Sequence, residues 1–586
     1  MNPQIEMFDS NGETPIEKGT VLWFSPYAAL WDSSKLELKV AASMSDAGYK
    51  ITRMSCTGIL DSLCPAMSSE GLSVNSTKRQ KESICRDCIA NSRAINSSLK
   101  FSDLVDLDEN ISSEALESIV NLVGSVNKEN FEQLVVDDLP VGKYSTYLSL
   151  LHHKTESVAD TNESWMEYLN DLKNSLISLS AIKRICDGRL PEYLLVYNPL
   201  YPSNRVVTEY LSNLGVKLIS VSAGGLLPNR FDTLNIFPTI SSNQTIALSE
   251  SISRGVSIPL TAFEETKLNR HLHELTQGKD PWVYSSLGTG LKAKQVRRML
   301  GLRTESMVVT VLLSSPDESR ASVAVQAEYL ESLGLDLSKP AEFLESVIAA
   351  AKELPDFDFI VRVHPRMLPN KRERVLSTDL NALLEILETR SPNVCLNIPE
   401  QNLSIYEVME VTDVVINHTS SAGLEFLGHG IPVVHYDPDR LGIYPYSFGL
   451  NVNRGERIAP IIQAAAQAGK SELNIEAARG WWATVLMRAS VDLSSPPINP
   501  VPLKDVIPPE SETQSQLKSV IKWVIPRRMI ERAARTVQRR QRLFNGASIE
   551  LTAAQREEIV HRIKTLNYSA VWEPHIIVRG EPNQKT

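Results

Sequence analysis

The stretch Asp413-Val-Val-Ile-Asn-His-Thr-Ser-Ser-Ala-Gly-Leu-Glu-Phe-Leu-Gly-His-Gly-Ile-Pro-Val-Val-His-Tyr-Asp-Pro438 leaves this chain few folds to choose from. Val414 to Ile416 is the β-branched run that a strand buried on both faces requires, and Val433 and Val434 repeat it after Pro432. Between them Thr419, Ser420 and Ser421 offer hydroxyl caps. Leu424 and Leu427 lie at i, i+3, Ala422 and Phe426 at i, i+4, and Gly430 with Pro432 marks a helix stop. The reading is strand, turn, short helix, strand, which is a parallel crossover. A helix entered through Ser-Ser-Ala-Gly after such a strand points backbone N–H groups and its positive end at the carboxyl edge of the sheet, where α/β proteins hold phosphate. The plainer reading is a crossover whose hydroxyls only cap the helix.

The same alternation runs along the chain. Val21 to Phe24, the amphipathic segment Ser33 to Ala47 and Tyr49 to Arg53 read as strand, helix, strand. The turn Ser25 to Leu30 lacks a Gly-x-Gly-x-x-Gly fingerprint, so no dinucleotide is expected there. Tyr193 to Tyr197, Arg205 to Leu214 and Val216 to Val221 form another such unit, placing Asn198 and the Ala223-Gly-Gly225 turn at strand carboxyl ends. Residues 277–290 look like a linker. After it come strands at Met307 to Leu313, Phe357 to Val363 and Val394 to Ile398, with helices at Phe343 to Leu354 and Ile405 to Val411. Ser314-Ser-Pro-Asp-Glu318 has capping-box spacing.

Three units follow: a first Rossmann-like domain over 1–285, a second over 286–500, and a Pro-rich linker with a basic helical tail over 501–586. At 586 residues, 42% hydrophobic, the chain can fill the cores of two such domains. The net charge of -10 excludes a general nucleic-acid binder, which needs a basic face. The segment Lys522 to Arg542 runs the other way, with Arg527, Arg528, Arg532, Arg535, Arg539 and Arg540 interleaved with apolar residues. It suits a helix lying on an anionic membrane surface or acidic partner, or a solvated helix on the body. Met1 to Lys18 is polar and no run is apolar enough to span a bilayer, so a cytoplasmic location is expected, with the basic tail resting on the inner membrane face.

Four of the six cysteines, Cys56, Cys64, Cys85 and Cys88, cluster in a stretch over about 54–93 that reads as an insertion. Cys85-Arg-Asp-Cys88 has the spacing of half a zinc site, while seven residues separate Cys56 from Cys64. The choice lies between a structural zinc and four unrelated thiols, with no part in catalysis.

In Phe357-Asp-Phe-Ile-Val-Arg-Val-His-Pro365, strand alternation puts Arg362 and His364 on one side at the carboxyl end. A cation, an imidazole and the Ser420 to Gly423 amides would then converge on a pocket for a nucleotide mono- or diphosphate.

The order Ser314-Ser-Pro-Asp-Glu318, Arg362-Val-His-Pro365, Asn417-His-Thr-Ser-Ser-Ala-Gly-Leu-Glu425 and Gly430-Ile-Pro-Val433 resembles the donor domain of bacterial capsule and surface-polysaccharide glycosyltransferases, among them the capsule β-Kdo transferases. His-Pro with a Ser-Ser turn is also similar to CMP-sugar transferases such as bacterial sialyltransferases. Tyr197-Asn-Pro-Leu-Tyr-Pro-Ser-Asn-Arg205 resembles an Asn-Gly-Arg segment of some members, with Pro199 in place of Gly and Ala223-Gly-Gly in place of an acidic turn.

The resemblance implies a GT-B architecture, two doubly wound domains facing a cleft, and a glycosyltransferase that moves a sugar from a nucleotide sugar, a CMP-sugar first, to a surface polysaccharide or glycolipid. It gives Arg362 and His364 to the donor phosphate, with Ser314 and Ser315 beside it, Ser420, Ser421 and Gly423 to phosphate or ribose, Glu425 to ribose or base, and Asn198 and Arg205 to the acceptor side. No cofactor is required for catalysis on this reading. A base or nucleophile from the first domain is still needed, for which Asp137, Asp138 and His153 are candidates by position. The rivals are a nucleotide-sugar epimerase or alditol-phosphate transferase, and a non-catalytic assembly protein.

Overall fold

The computed structural model of the protein describes residues 19–99, 102–227, 229–238, 240, 258–280, 283, 284, 287–326, 340–370, 375–436, 444, 446–453, 455–494 and 551–566. Thirteen strands within them make two sheets. The first holds β1 (Thr20–Phe24), β2 (Lys50–Ser55), β3 (Ser102–Asp106), β4 (Tyr193–Tyr197), β5 (Lys217–Ala223), β6 (Thr233–Phe237) and β13 (Val491–Asp492). Its spatial order is β13-β6-β5-β4-β1-β2-β3, parallel from β3 through β5, with β6 antiparallel to β5 and β13 antiparallel to β6.

The second sheet holds β7 (Met307–Leu312), β8 (Phe357–Arg362), β9 (Val394–Asn397), β10 (Val414–Asn417), β11 (Val433–Tyr436) and β12 (Leu450–Val452). Its order is β12-β11-β10-β7-β8-β9, parallel throughout. Each sheet thus carries the doubly wound order in which the first strand lies between the second and the fourth. The crevice beside that first strand is where such sheets bind ligands.

Alternation along the strands divides the apolar side chains between two layers. Leu22, Phe24, Met54, Leu194 and Val196 face the helices Asn162–Ile185 and Pro202–Asn213. Val21, Trp23, Ile51, Leu195 and Ile219 face Trp31–Asp46 on the other side. In the second sheet Val309, Val311, Phe359, Val361 and Ile416 pack under the helices Pro340–Glu353 and Ala459–Ala468. Connections of the two sheets touch one another. Arg205, on the helix after β4, donates through Nε to the Val325 carbonyl at 3.1 Å, just past the helix Asp317–Ala324 that follows β7. Lys154 of the first domain, fully buried, donates through Nζ to the carbonyl of Arg366 after β8 at 2.5 Å.

The expected division of the chain needs three corrections. The Cys-bearing stretch is no insertion: it ends β2 and forms the crossover to β3, through Pro65–Ser68 and the long helix Lys78–Ser97. The helix Ala262–Gln277, before the expected boundary, packs its Leu268 with Val415, Phe426 and Trp481 of the second domain. Beyond the second sheet the chain returns to the first, since β13 pairs with β6, and Ile559 and Ile563 of the helix Ala553–Thr565 are buried with Val21 and Leu36. The basic segment Lys522 to Arg542 and the Pro-rich stretch lie outside the described residues. No helix among the described residues is long and apolar enough to cross a membrane.

Candidate active site

The turn after β10 is held from within. Asn417 Oδ1 accepts the Ser420 N–H and Asn417 Nδ2 donates to the Ser420 carbonyl, both at 3.0 Å, and Nδ2 also donates to the Tyr444 hydroxyl at 2.7 Å. Ser420 Oγ accepts the Ala422 N–H at 3.3 Å. The Thr419 N–H and hydroxyl both donate to Ser314 Oγ, at 3.2 and 2.7 Å, so the ends of β7 and β10 are tied together across the switch point. The sequence reading of a row of amides waiting for phosphate is corrected by these bonds: Thr419, Ser420 and Ala422 already donate inside the protein. Ser421 is exposed and its side chain caps nothing. Ser314 is drawn to Thr419 and Ser315 to Asp317, so the expected capping box does not form, and the helix starts at Asp317 after Pro316.

Gly423 is close-packed against this clasp. A Cβ there would stand 2.1 Å from the Tyr444 hydroxyl and 2.5 Å from Asn417 Nδ2. Gly423→Ala is therefore expected to destabilise the protein by about 1–3 kcal/mol through overpacking, seen as a lower thermal midpoint. An unchanged midpoint would mean that the clasp yields freely.

Arg362 is not free for a ligand. As the last residue of β8 it is buried, donates to Asn397 Oδ1 and, at 3.2 Å, to the Leu403 carbonyl, and serves as counter-charge to Glu425. Alternation pairs Arg362 with His364 only while the strand lasts, and here Pro365 starts a 3-10 turn with His364 as its cap. His364 Nδ1 accepts the Arg366 N–H at 3.2 Å. Burial pushes the ring down to about 4, so at neutral pH His364 is uncharged. With Nδ1 accepting, its proton sits on Nε2, which makes His364 a hydrogen-bond donor rather than a cation.

The ring is fixed by a buried ion pair. Arg366 Nε donates to Asp317 Oδ2 at 2.5 Å, with side chains 4% and 0% exposed. Arg366 also reaches Glu318 at 2.9 Å and the Tyr284 hydroxyl at 2.7 Å. Glu425, half-buried, accepts from the Tyr406 hydroxyl, and burial raises its carboxyl to about 7 although Tyr406 and Arg362 oppose the shift.

The first sheet has a matching crevice beside β1, and the residue there was not singled out by sequence. Glu37 of the helix Trp31–Asp46 bridges its two sides: Ser25, just past β1, donates to Oε2, and the Tyr197 N–H at the end of β4 donates to Oε1, both at 2.9 Å. Tyr27, Ser34, Tyr201 and Asn204 line the same small pocket. Glu37 is 3% exposed, and burial raises its carboxyl to about 7 against the pull of Ser25 and Arg53. The signal in the sequence was a carboxylate on the stripe Ser34, Glu37, Ala41, which packs inward.

The other expected site residues are placed elsewhere. Asp137 and Asp138 have left-handed backbones at φ 51° and 61° on an exposed turn, and Asp137 is paired with Lys183 at 2.7 Å. His153 Nε2 meets Glu167 at 2.9 Å and shares that carboxylate with His152. Asn198, at φ 45°, accepts the Leu200 N–H and makes a turn. Arg205 is buried over the Tyr144 ring, paired with Glu209 and tied to Val325, so it joins the domains instead of meeting an acceptor. Among the described residues no group of three or more His, Cys, Asp or Glu is arranged to hold a metal ion.

No family model matches this chain, and no curated protein matches it. Among solved structures it is similar to a β-Kdo 2,4 transferase, KpsC of Thermosulfurimonas dismutans. That match has 14% identity over 49% of this chain and 79% of that one, with a TM-score of 0.30. The β-Kdo 2,7 transferase of the same KpsC matches at 17% over 51% and 79%, TM-score 0.28. A UDP-GlcNAc 2-epimerase from Neisseria meningitidis matches at 11% over 80% and 98%, TM-score 0.27. Likenesses this low carry no functional argument. The two successive doubly wound sheets, in domains that touch, are the GT-B architecture in themselves.

Proposed function

We propose that the protein is a glycosyltransferase that moves a sugar from a nucleotide-sugar donor to a surface polysaccharide or glycolipid hydroxyl. The observation that carries this is the pair of switch-point crevices. One offers a neutral imidazole donor, and the other a buried carboxyl raised to about 7. The reading assigns the nucleotide to the second crevice. There His364 Nε2–H would donate to the phosphate at the moment its charge develops, which is the electrostatic part of transfer. Being uncharged, it gains most as the leaving group turns anionic. Glu425, beside Tyr406, is assigned to a ribose hydroxyl. Glu37 is assigned as the base that takes the proton of the acceptor hydroxyl, since a base near pH 7 is matched to that step. Ser25 and the Tyr197 amide would hold its carboxylate in place.

Thermal stabilisation by CMP, UDP, GDP, CDP and ADP tests the donor half. One nucleotide, CMP first, is expected to raise stability by about 2.7 kcal/mol at a hundred times its Kd. His364→Ala should weaken that binding roughly tenfold to a hundredfold through one lost hydrogen bond to a charged group. No shift from any nucleotide would overturn the site. Turnover of the free nucleotide sugar without acceptor would point to an epimerase.

A further inference from the structure

The cysteines of the first domain come from three segments of chain: Cys56 directly after β2, Cys64 at the cap of Pro65–Ser68, and Cys85 with Cys88 one turn apart on Lys78–Ser97. The fold gathers all four. Cys64 and Cys88 are buried in one apolar cluster, and Cys56 and Cys85 pack against it. None is in a disulfide. Cys186 and Cys395 take no part in this set.

A backbone donor is aimed at one of the sulfurs: the Ala29 N–H donates to Cys88 Sγ at 3.2 Å. Arg53, 0% exposed, is in electrostatic contact with Cys88, and its Nε has no hydrogen-bond partner among the described residues.

We propose that Cys56, Cys64, Cys85 and Cys88 are the four thiolate ligands of a structural metal centre. No three of these side chains close round one ion as they stand. A single zinc, at Zn–S distances of about 2.3 Å, draws its thiols inward, whereas an iron–sulfur cluster gives each thiolate its own iron and spaces the sulfurs more widely. The centre lies behind the turn that lines the Glu37 crevice. Cys88 receives the Ala29 amide, Asn91 of the same helix donates to the Ala28 carbonyl at 2.8 Å, and Tyr27 is in electrostatic contact with Cys64 and Cys56. Its role is to fix that turn, and it stands whether or not the cleft transfers a sugar.

The test is metal and acid-labile sulfide analysis of the full chain purified without oxygen or chelator, beside Cys85→Ser/Cys88→Ser and the control Cys186→Ser/Cys395→Ser. Stoichiometric zinc, or iron with matching sulfide and its visible absorption, is expected in the wild type and the control and is lost from the Cys85/Cys88 variant. Zinc without sulfide identifies the single ion, iron with sulfide the cluster. Wild-type protein with neither metal would overturn the proposal. Equal metal retained in the Cys85/Cys88 variant would do the same. The wild-type arm needs no variant to fold.

Discussion

Asp317→Ala is expected to lower the free energy of unfolding by about 3–5 kcal/mol, because removing one member of a buried ion pair strands the other charge out of water. The group left behind is the Arg366 guanidinium, whose side chain is 4% exposed, whose Nε now rests on Asp317 Oδ2 and which keeps the exposed carboxylate of Glu318 as an ion-pair partner at 2.9 Å. Urea denaturation reads the loss as a lower midpoint at unchanged slope. Replacing both partners, Asp317→Leu with Arg366→Met, should recover most of it, since a buried pair exchanged for apolar groups of similar volume is often neutral. The single variant carries a second consequence. The Arg366 amide that fixes His364 Nδ1 belongs to a backbone position the ion pair holds, so nucleotide binding should fall in Asp317→Ala even where the protein remains folded. A cost below about 1 kcal/mol, the scale of exposed pairs, would show that water reaches this pair.

Glu37→Gln is expected to reduce kcat by about 10²- to 10⁴-fold, the usual contribution of a positioned general base, with little change in KM for the nucleotide sugar. Gln keeps the shape and an acceptor for the Tyr197 amide, so the loss reads the proton and not the fold. The wild-type rate should rise with pH through about 7, where the buried carboxyl ionises, and this limb should vanish in the variant. Stability moves the opposite way. A carboxyl whose folded value lies above its ordinary 4.5 favours the protonated fold, so its contribution is complete below pH 4.5 and is lost as pH rises to about 7. Glu37→Gln removes that decline. Full activity in Glu37→Gln would place the base elsewhere.

Both predictions turn on groups that the sequence presents unequally. His364 was legible because His-Pro after a β-branched strand is a local pattern, and so was the βαβ unit around Asn417, whose strands form within a residue or two of the expected bounds. Glu37 was not. Its importance comes from lying under both Ser25 and Tyr197, the latter 160 residues away. Arg362 was misread for the converse reason: periodicity gives the side of a strand, and the carbonyl of Leu403, which takes the guanidinium, belongs to a loop that no periodicity describes.

What the sequence by itself determined is therefore the class of fold. Buried β-branched runs alternating with amphipathic helices call for sheets that are mainly parallel and covered on both faces, because such layers satisfy apolar strands and short-range helix periodicity together. The tertiary structure decided which polar groups are available. Strand order set the two crevices, the meeting of Lys154 with Arg366 joined the two domains, and Asn417, Asp317 and Tyr444 bound the turn and the histidine that sequence had left open. Hydrogen-bond partners across a fold are chosen by three-dimensional proximity, and the spacing of residues along a chain does not contain it.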